Sequence, residues 1–491
     1  MRETLHIALF GALALGQVAV AADASPGKLS PTVQQFVRVQ AAQIVLSHVR
    51  VIDGTGHAAI DDQDIFIESG KISRIAPSQS FAAPKDSTIL DLNGYTVIPG
   101  LVGMHNHLYY VARPNLKVGT TPPWEPPVLI PQEMFSSPRL YLAGGVTTMR
   151  TTGSVEPYAD LNLRDQIDAG LLPGPHIDVT APYLEGKGSY FIQMHQVSDP
   201  QEAKQFVNYW ASVGVTSFKA YMNVTRAELK AAIDAVHALG MKITGHLCAV
   251  TYVEAAEMGI DDLEHGFGVN TQLDPGKKLD ECPDTYGDPT LKNMDPNGPE
   301  AAKLIELLVS HHVAITSTLP VFEPEVAGRP PLRDRVLKTM SPEAREAYLY
   351  LRNRRFEKPS PDGAVLWDHM LKMERKFVAA GGLLIAGPDP TGNGAVLPGF
   401  GDQRELELLV EAGFTAEEAI RIATLNGAIY EGKSRSIGSI EVGKNADLVV
   451  IKGNPSRTIS DVENTEIVFK DGVGFDSAKL IDSVAGRYGQ Y

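Results

Sequence analysis

The spacing of apolar residues changes period twice along the 491-residue chain. Near the start, QIVLSHVRVIDG, DIFIESGKISRIAP and STILDLNGYTVIPG are short β-rich runs separated by Gly, Asp and Asn turn signals, and they predict antiparallel strands. A matching set, IGSIEVGKNADLVVIKGNP and EIVFKDGVGF, closes the chain. The two ends, residues 23–98 and 433–491, are therefore expected to pair into one small β-sandwich domain. Over residues 99–432 short apolar runs alternate with helical patterns such as DPQEAKQFVNYWASVG, TRAELKAAIDAVHALG and GPEAAKLIELLVSHH. The strand candidates there are GLVGMHNH, VTTMRTTG, IDVTAPYL, TSFKAYM, KITGHLC, DDLEHGFG, VAITSTLP and LLIAGPDP. Eight such runs separated by helical stretches predict an α/β chain with a closed (β/α)8 TIM barrel rather than an open doubly wound sheet. Long connections near Tyr109–Leu140, Val269–Pro299 and Val321–Leu366 then follow strands one, six and seven, on the face where barrels carry their active sites. They are expected to be pocket walls or lids, with surface padding or an oligomer contact as the alternative. The Arg-rich LRDRVLKTMSPEAREAYLYLRNRRFEK is a candidate contact between copies of the chain, in a homo-oligomer.

The first residues alter this picture. MRETLHIALFGALALGQVAVAADASPG has a basic residue at Arg2, an apolar run from Ile7 to Ala21, and small residues Ala19, Ala21 and Ala22 placed for cleavage, which predicts a signal peptide over residues 1–22. The run is shorter than the ~20 apolar residues of a spanning helix, so an exported, periplasmic or secreted protein is expected rather than an anchored one. A formal charge of -15 argues against nucleic acid or an anionic membrane as partner. A small molecule is the expected partner. Export makes a disulfide between Cys248 and Cys282 feasible, and a free, buried Cys248 is equally open.

Chemistry enters at the strand ends. His105 and His107 stand two apart at the end of an apolar strand, and the strand period of two puts both imidazoles on one side. His246 ends KITGH, His265 ends DDLEH, Lys219 lies in TSFKA and Asp389 ends LLIAGPD. Any one of these residues alone reads as an ordinary solvated or paired side chain. Together they deliver a potential ligand from five strand candidates at the same barrel face.

PGLVGMHNH, SFKAY, TGH, LEHG and AGPD, in this order, resemble the binuclear amidohydrolase superfamily over nearly the full length of the chain. GVTTMR and ATLNGAIYEGKSRSIGSIEVGKNADLVVIKGNP look like further segments of it. Within that superfamily the chain is most similar to the branch of imidazolonepropionase-like enzymes, Xaa-Pro dipeptidases and related carboxypeptidases. The resemblance implies two divalent metal ions, zinc as first choice: His105, His107 and Asp389 on one, His246 and His265 on the other, and an N6-carboxylated Lys219 between them. It implies hydrolysis of an amide by a hydroxide shared between the ions, with Asp389 as general base and acid. Gly103, Thr151, Thr152 and AGPDP depart from the usual pattern, which places the substrate pocket in question and leaves the ligands intact.

The reading is thus a hydrolase of carbon–nitrogen bonds, dipeptidase- or carboxypeptidase-like, acting on a dipeptide or N-acyl amino acid. A cyclic amide or lactone hydrolase with the same site is the alternative enzyme, and a metal- or ligand-binding barrel without catalysis is the alternative of another class. Tyr221, two residues past Lys219, is a candidate holder of a substrate carbonyl or carboxylate, or else a packed rim tyrosine. His195 in HQVSDP is a candidate pocket residue, or else a surface histidine. His176, His237, His311 and His312 read as structural.

Overall fold

Residues 29–112, 128–130, 133–189, 191, 194–391 and 396–490 are described by a computed structural model; the leader expected over residues 1–22 lies outside them. The N-terminal strands are β1 (Val37–Val39), β2 (Gln43–Val51), β3 (Ile60–Glu68), β4 (Lys71–Pro77), β5 (Thr88–Asp91) and β6 (Tyr95–Pro99). The middle of the chain contributes β7 (Leu101–Asn106), β8 (Tyr110–Ala112), β9 (Val128–Ile130), β10 (Val146–Thr151), β11 (His176–Val179), β12 (Ser217–Ala220), β13 (Lys242–Gly245), β14 (Asp262–Glu264), β15 (Ala314–Ser317) and β16 (Leu384–Ala386). The C-terminal strands are β17 (Leu448–Lys452), β18 (Thr465–Lys470) and β19 (Val473–Asp476).

Both ends of the chain do pair. They form one nine-stranded sheet in the order β1-β19-β18-β17-β6-β2-β3-β4, with β5 beside β2. The sheet curls until the turn after β3 meets the far half: Ile72 N–H donates to Lys444 O at 2.9 Å and Ala446 N–H to Gly70 O at 2.8 Å. The expected sandwich is therefore a single continuous sheet wrapped on its own core. Alternation explains the unbroken apolar run of β17. Leu448 and Val450 face the sheet core with Ile44, Ile65 and Phe469, whereas Val449 and Ile451 join the large barrel core. Both faces are buried, so the run has no polar half.

Of the other strands, β8 and β9 form an antiparallel pair, and the rest run parallel in two ladders, β7-β10-β11 and β12 through β16 in order. Ala181 N–H donates to Ser217 O at 2.9 Å between the third and fourth strands, and Asp389 N–H to His105 O at 3.0 Å between the last and the first. This is the cyclic order of a (β/α)8 barrel. Gly387 permits the second contact, since a Cβ there would collide with the backbone of His105. The predicted outer helices are present as Pro200–Val213, Arg226–Ala238 and Pro299–Ser310. Asp199 caps the first through the amides of Gln201 and Glu202, and a Thr225–Glu228 capping box starts the second.

The connection after β15 holds helices Asp334–Thr339 and Pro342–Glu357. Its Met340, Ala344 and Tyr348 are buried against Phe400, Val484 and Tyr488, so this Arg-rich stretch packs on the chain's own C-terminal segment. No helix among the described residues is long and apolar enough to cross a membrane.

Candidate metal centre

His105 is the penultimate residue of β7 and His107 lies just beyond its end, and both rings are buried with centroids 5.2 Å apart. The loop after β16 brings Asp389 to them: its Oδ1 lies 3.1 Å from His107 Nε2 and 3.6 Å from His105 Nε2. That oxygen is buried and makes no well-aligned hydrogen bond among the described residues. One ligand atom each from His105, His107 and Asp389 falls within 4.8 Å of the others, as a shared cation requires. His265, just past β14, puts its ring 4.6 Å from that of His105 and 4.5 Å from that of His246. Lys219 on β12 is buried, with Nζ 3.3 Å from His105 Nε2 and donating to Thr152 O at 3.1 Å. The six residues predicted from strand ends therefore converge.

His265 and Asp389 both adopt left-handed backbone, φ 70° and 54°. Such a conformation is costly for a residue with a Cβ and is held only where the surroundings impose it, typically at functional sites. Here it turns two strand ends inward.

Electrostatics suits cation binding. Burial pushes the imidazoles of His105, His107 and His265 down and that of His246 to about 3, so all four are neutral at pH 7, the form that ligates. Burial also pushes the Lys219 amine down to about 8. For Asp389 burial acts upward, but His105, His107 and Lys219 outweigh it and hold the carboxyl below its usual range. Neutral imidazoles, an ionised carboxylate and a readily deprotonated amine form a donor set that fits divalent metal.

A polar layer beneath the ligands was not predicted. Glu264 Oε2 accepts from His105 Nδ1 at 2.6 Å, while its Oε1 accepts from Arg150 Nη2 at 3.0 Å and Thr244 Oγ1 at 2.6 Å. Arg150 also reaches Asp262 Oδ2 at 2.9 Å and Met104 O at 2.9 Å. His265 Nδ1 is held by Thr318 Oγ1 at 2.9 Å. Asp262 and Glu264, flanking Leu263 at a period of two, carried a legible signal of a polar inner strand face.

Above the ligands stands an aromatic wall. Tyr221 lies 4.9 Å from His246 and 4.8 Å from Tyr183, in a buried cluster with Tyr109, Phe191, Met222 and Cys248. Cys248 is bonded to Cys282 across a Cα–Cα distance of 4.9 Å, which settles the open cysteine question in favour of a disulfide. His195 is a correction: its side chain is 56% exposed, its Nε2 lies 3.0 Å from Glu202 Oε1, and its ring stacks on Phe206. It lies in the segment before helix Pro200–Val213 and packs against that helix's first two turns. His176 likewise pairs with Asp168 and Asp471, away from the ligands, as expected. Gly103 has a local reason, because a side chain there would run into Asn106.

A parallel barrel with buried histidines, a carboxylate and a lysine gathered at its strand ends defines a metal-dependent hydrolase scaffold. The chain matches the amidohydrolase family over residues 96–276 and 397–475, more than half of its length, and belongs to that family. Amidohydrolases act on carbon–nitrogen bonds and generally bind divalent metals, so the expected family and enzyme class are borne out. Among solved structures, a proposed prolidase from Bifidobacterium longum superposes with a TM-score of 0.64 at 23% identity over 90% of this chain and 98% of that one. A Xaa-Pro dipeptidase with methionine bound in its active site gives 0.63 at 21% identity, over 88% and 100%. Bottromycin amidohydrolase gives 0.65 at 20%, over 93% and 94%. These likenesses bear out the barrel with a second domain. In sequence, a 67-residue segment is 43% identical to dihydroorotase of Syntrophus aciditrophicus, spanning 13% of this chain and 15% of that protein. A 62-residue segment is 39% identical to 5'-deoxyadenosine deaminase of Methanobrevibacter smithii, spanning 13% and 14%.

Proposed function

We propose that the protein hydrolyses the carbon–nitrogen bond of a small amide, a dipeptide or an N-acyl amino acid, at a two-metal centre. The observation that carries this is the convergence of His105, His107, His246, His265, Lys219 and Asp389 on one barrel face, with Asp389 ionised and its Oδ1 lacking a well-aligned hydrogen bond. His105, His107 and Asp389 would hold one ion and His246 and His265 the other, with Lys219, carboxylated on its neutral amine, as a further oxygen donor. When bound, divalent ions, zinc first, acidify water and polarise a carbonyl. Asp389 accepts the proton of the attacking water at a carboxylate oxygen and returns it to the departing nitrogen. Glu264 fixes the His105 tautomer, and the aromatic wall excludes bulk water. The fold-level likeness to a Xaa-Pro dipeptidase supports a peptide-sized substrate. The local identity to a dihydroorotase favours a cyclic amide as second reading. Export, proposed from the leader, is supported by the Cys248–Cys282 bond.

Metal content per chain, measured on protein purified without chelator, tests this together with amine release from dipeptides, N-acyl amino acids, cyclic amides and lactones. Near two ions with amide cleavage abolished in Asp389→Asn is expected. A metal-free protein that zinc or manganese does not activate overturns the reading and leaves a non-catalytic barrel.

A further inference from the structure

Tyr109 and Tyr183 come from different strands' ends, yet their hydroxyl oxygens lie 2.5 Å apart. Both are buried, at 4% and 3% exposure. Two phenols joined by one hydrogen bond use only one of their two O–H hydrogens. Among the described residues neither hydroxyl has another hydrogen-bond partner, so one donor is left over in a buried place. Such a donor costs free energy unless something accepts from it.

Its position is informative. The Tyr109 ring lies 4.8 Å from the His107 ring, and Lys219 Nζ is 5.2 Å from the centre of the Tyr183 ring. The spare hydrogen therefore borders the proposed centre instead of the distant core. Next to it, Tyr221, Phe191, Met222 and Cys248 form a buried hydrophobic cluster, with Cys282 packed against it and bonded to Cys248. Burying a charged substituent against such a cluster costs desolvation free energy. An aromatic or aliphatic one is accommodated.

We infer that the Tyr109–Tyr183 pair is a substrate-binding hydrogen-bond donor, and that the substrate carries a large apolar group beside it. The spare hydroxyl hydrogen binds a carbonyl or carboxylate oxygen of the substrate, and the apolar group packs on Phe191, Tyr221 and the disulfide. The substrate class is then an N-acyl or peptidyl derivative of an aromatic or large aliphatic amino acid. This rests on the hydrolase reading above, but its test does not need turnover.

The experiment titrates N-acetyl-L-phenylalanine and N-acetyl-L-glutamate into metal-loaded Asp389→Asn protein by calorimetry, in backgrounds carrying Tyr109→Phe, Tyr183→Phe or both. The phenylalanine derivative is expected to bind at least ten times more tightly. Loss of the donor is expected to weaken it roughly 10- to 100-fold. The double variant, which alone removes both hydroxyls, is expected to lose the most, because either single variant leaves one phenol hydrogen to donate. Equal affinity in all four backgrounds, with metal content and melting temperature unchanged, assigns the tyrosines a packing role and overturns the inference. Preference for the glutamate derivative, or no binding of either, overturns it also. The hydrolase reading fails separately, by absence of amine release in the parent enzyme while tyrosine-dependent binding persists.

Discussion

His105 Nδ1 and Glu264 Oε2 are 2.6 Å apart and both fully buried. The carboxylate accepts the Nδ1 hydrogen and so leaves the Nε2 lone pair aimed at Asp389 and Lys219. Outer partners of this kind commonly contribute about 10- to 100-fold to metal affinity. Glu264→Gln preserves shape but can present an amide hydrogen to Nδ1, which favours the wrong tautomer. Competition with a chelator is expected to show metal release at about 10- to 100-fold lower chelator concentration. Unchanged metal affinity in a folded variant refutes the tautomer argument.

Lys219 has an amine pushed down to about 8 by burial, so a useful neutral fraction exists at pH 7 to 8. Only the neutral amine adds carbon dioxide. Protein stripped with chelator at mildly acidic pH and reloaded with zinc in carbonate-free buffer is expected to stay largely inactive until bicarbonate is added. Lys219→Arg, which cannot carboxylate, is expected to show no bicarbonate response. Full reactivation without bicarbonate excludes a carboxylated Lys219.

A second buried pair makes a pH prediction. Ser317 Oγ lies 2.9 Å from Glu374 Oε2 and 2.6 Å from Glu405 Oε1. One hydroxyl hydrogen cannot serve two carboxylates, so one carboxyl keeps its own proton. Burial raises Glu374 to about 8 from 4.5. A carboxyl raised in the folded state binds its proton more tightly folded than unfolded, so stability is greatest at low pH and declines as pH climbs from about 4.5 towards 8. Glu374→Gln, permanently uncharged, is expected to melt about 2–4 °C above the parent at pH 8 and to differ less at pH 5. An equal shift at both pH values contradicts this.

His176 carries the opposite sign. Burial alone lowers its pKa, but Asp168 and Asp471 outweigh this and raise it to about 9 from 6.5. Its contribution is complete below 6.5 and is lost as pH rises through about 9. Because the ring is 37% exposed, solvent screening reduces the effect to on the order of 1–2 °C in melting temperature. The parent is expected to lose that much more than His176→Gln between pH 6.5 and 9.5. Parallel pH profiles rule the contribution out.

The ligands were legible because strand ends are written in the chain: apolar runs of fixed period, each stopping at His, Lys or Asp. The layer below was harder to read. Arg150 is a buried cation whose partners, Asp262 and Glu264, lie 112 and 114 positions away, and only barrel closure brings them together. The same holds for Tyr109 and Tyr183, 74 positions apart. His195 misled because a loop conformation decides where its ring goes, and Glu202 and Phe206 hold it outside. The intrachain packing of the Arg-rich connection was not legible because its partner, the C-terminal segment with Val484 and Tyr488, is more than a hundred residues downstream.

The continuous sheet also sets an order of events during synthesis. β6 ends at Pro99 and its neighbour β17 begins at Leu448, while β1, among the described residues, pairs with β19 alone, through Val37 and Phe475. At ribosomal rates of about 5–20 residues per second, the roughly 350 intervening residues take on the order of 20 to 70 s. Throughout that interval the N-terminal strands have an unpaired edge and an uncovered apolar face, while the barrel that will present them to β17 is still being assembled. The sheet thus closes only after the whole barrel sequence has been made, and a ribosome that stops short of residue 448 releases a chain whose first strands lack their C-terminal partners.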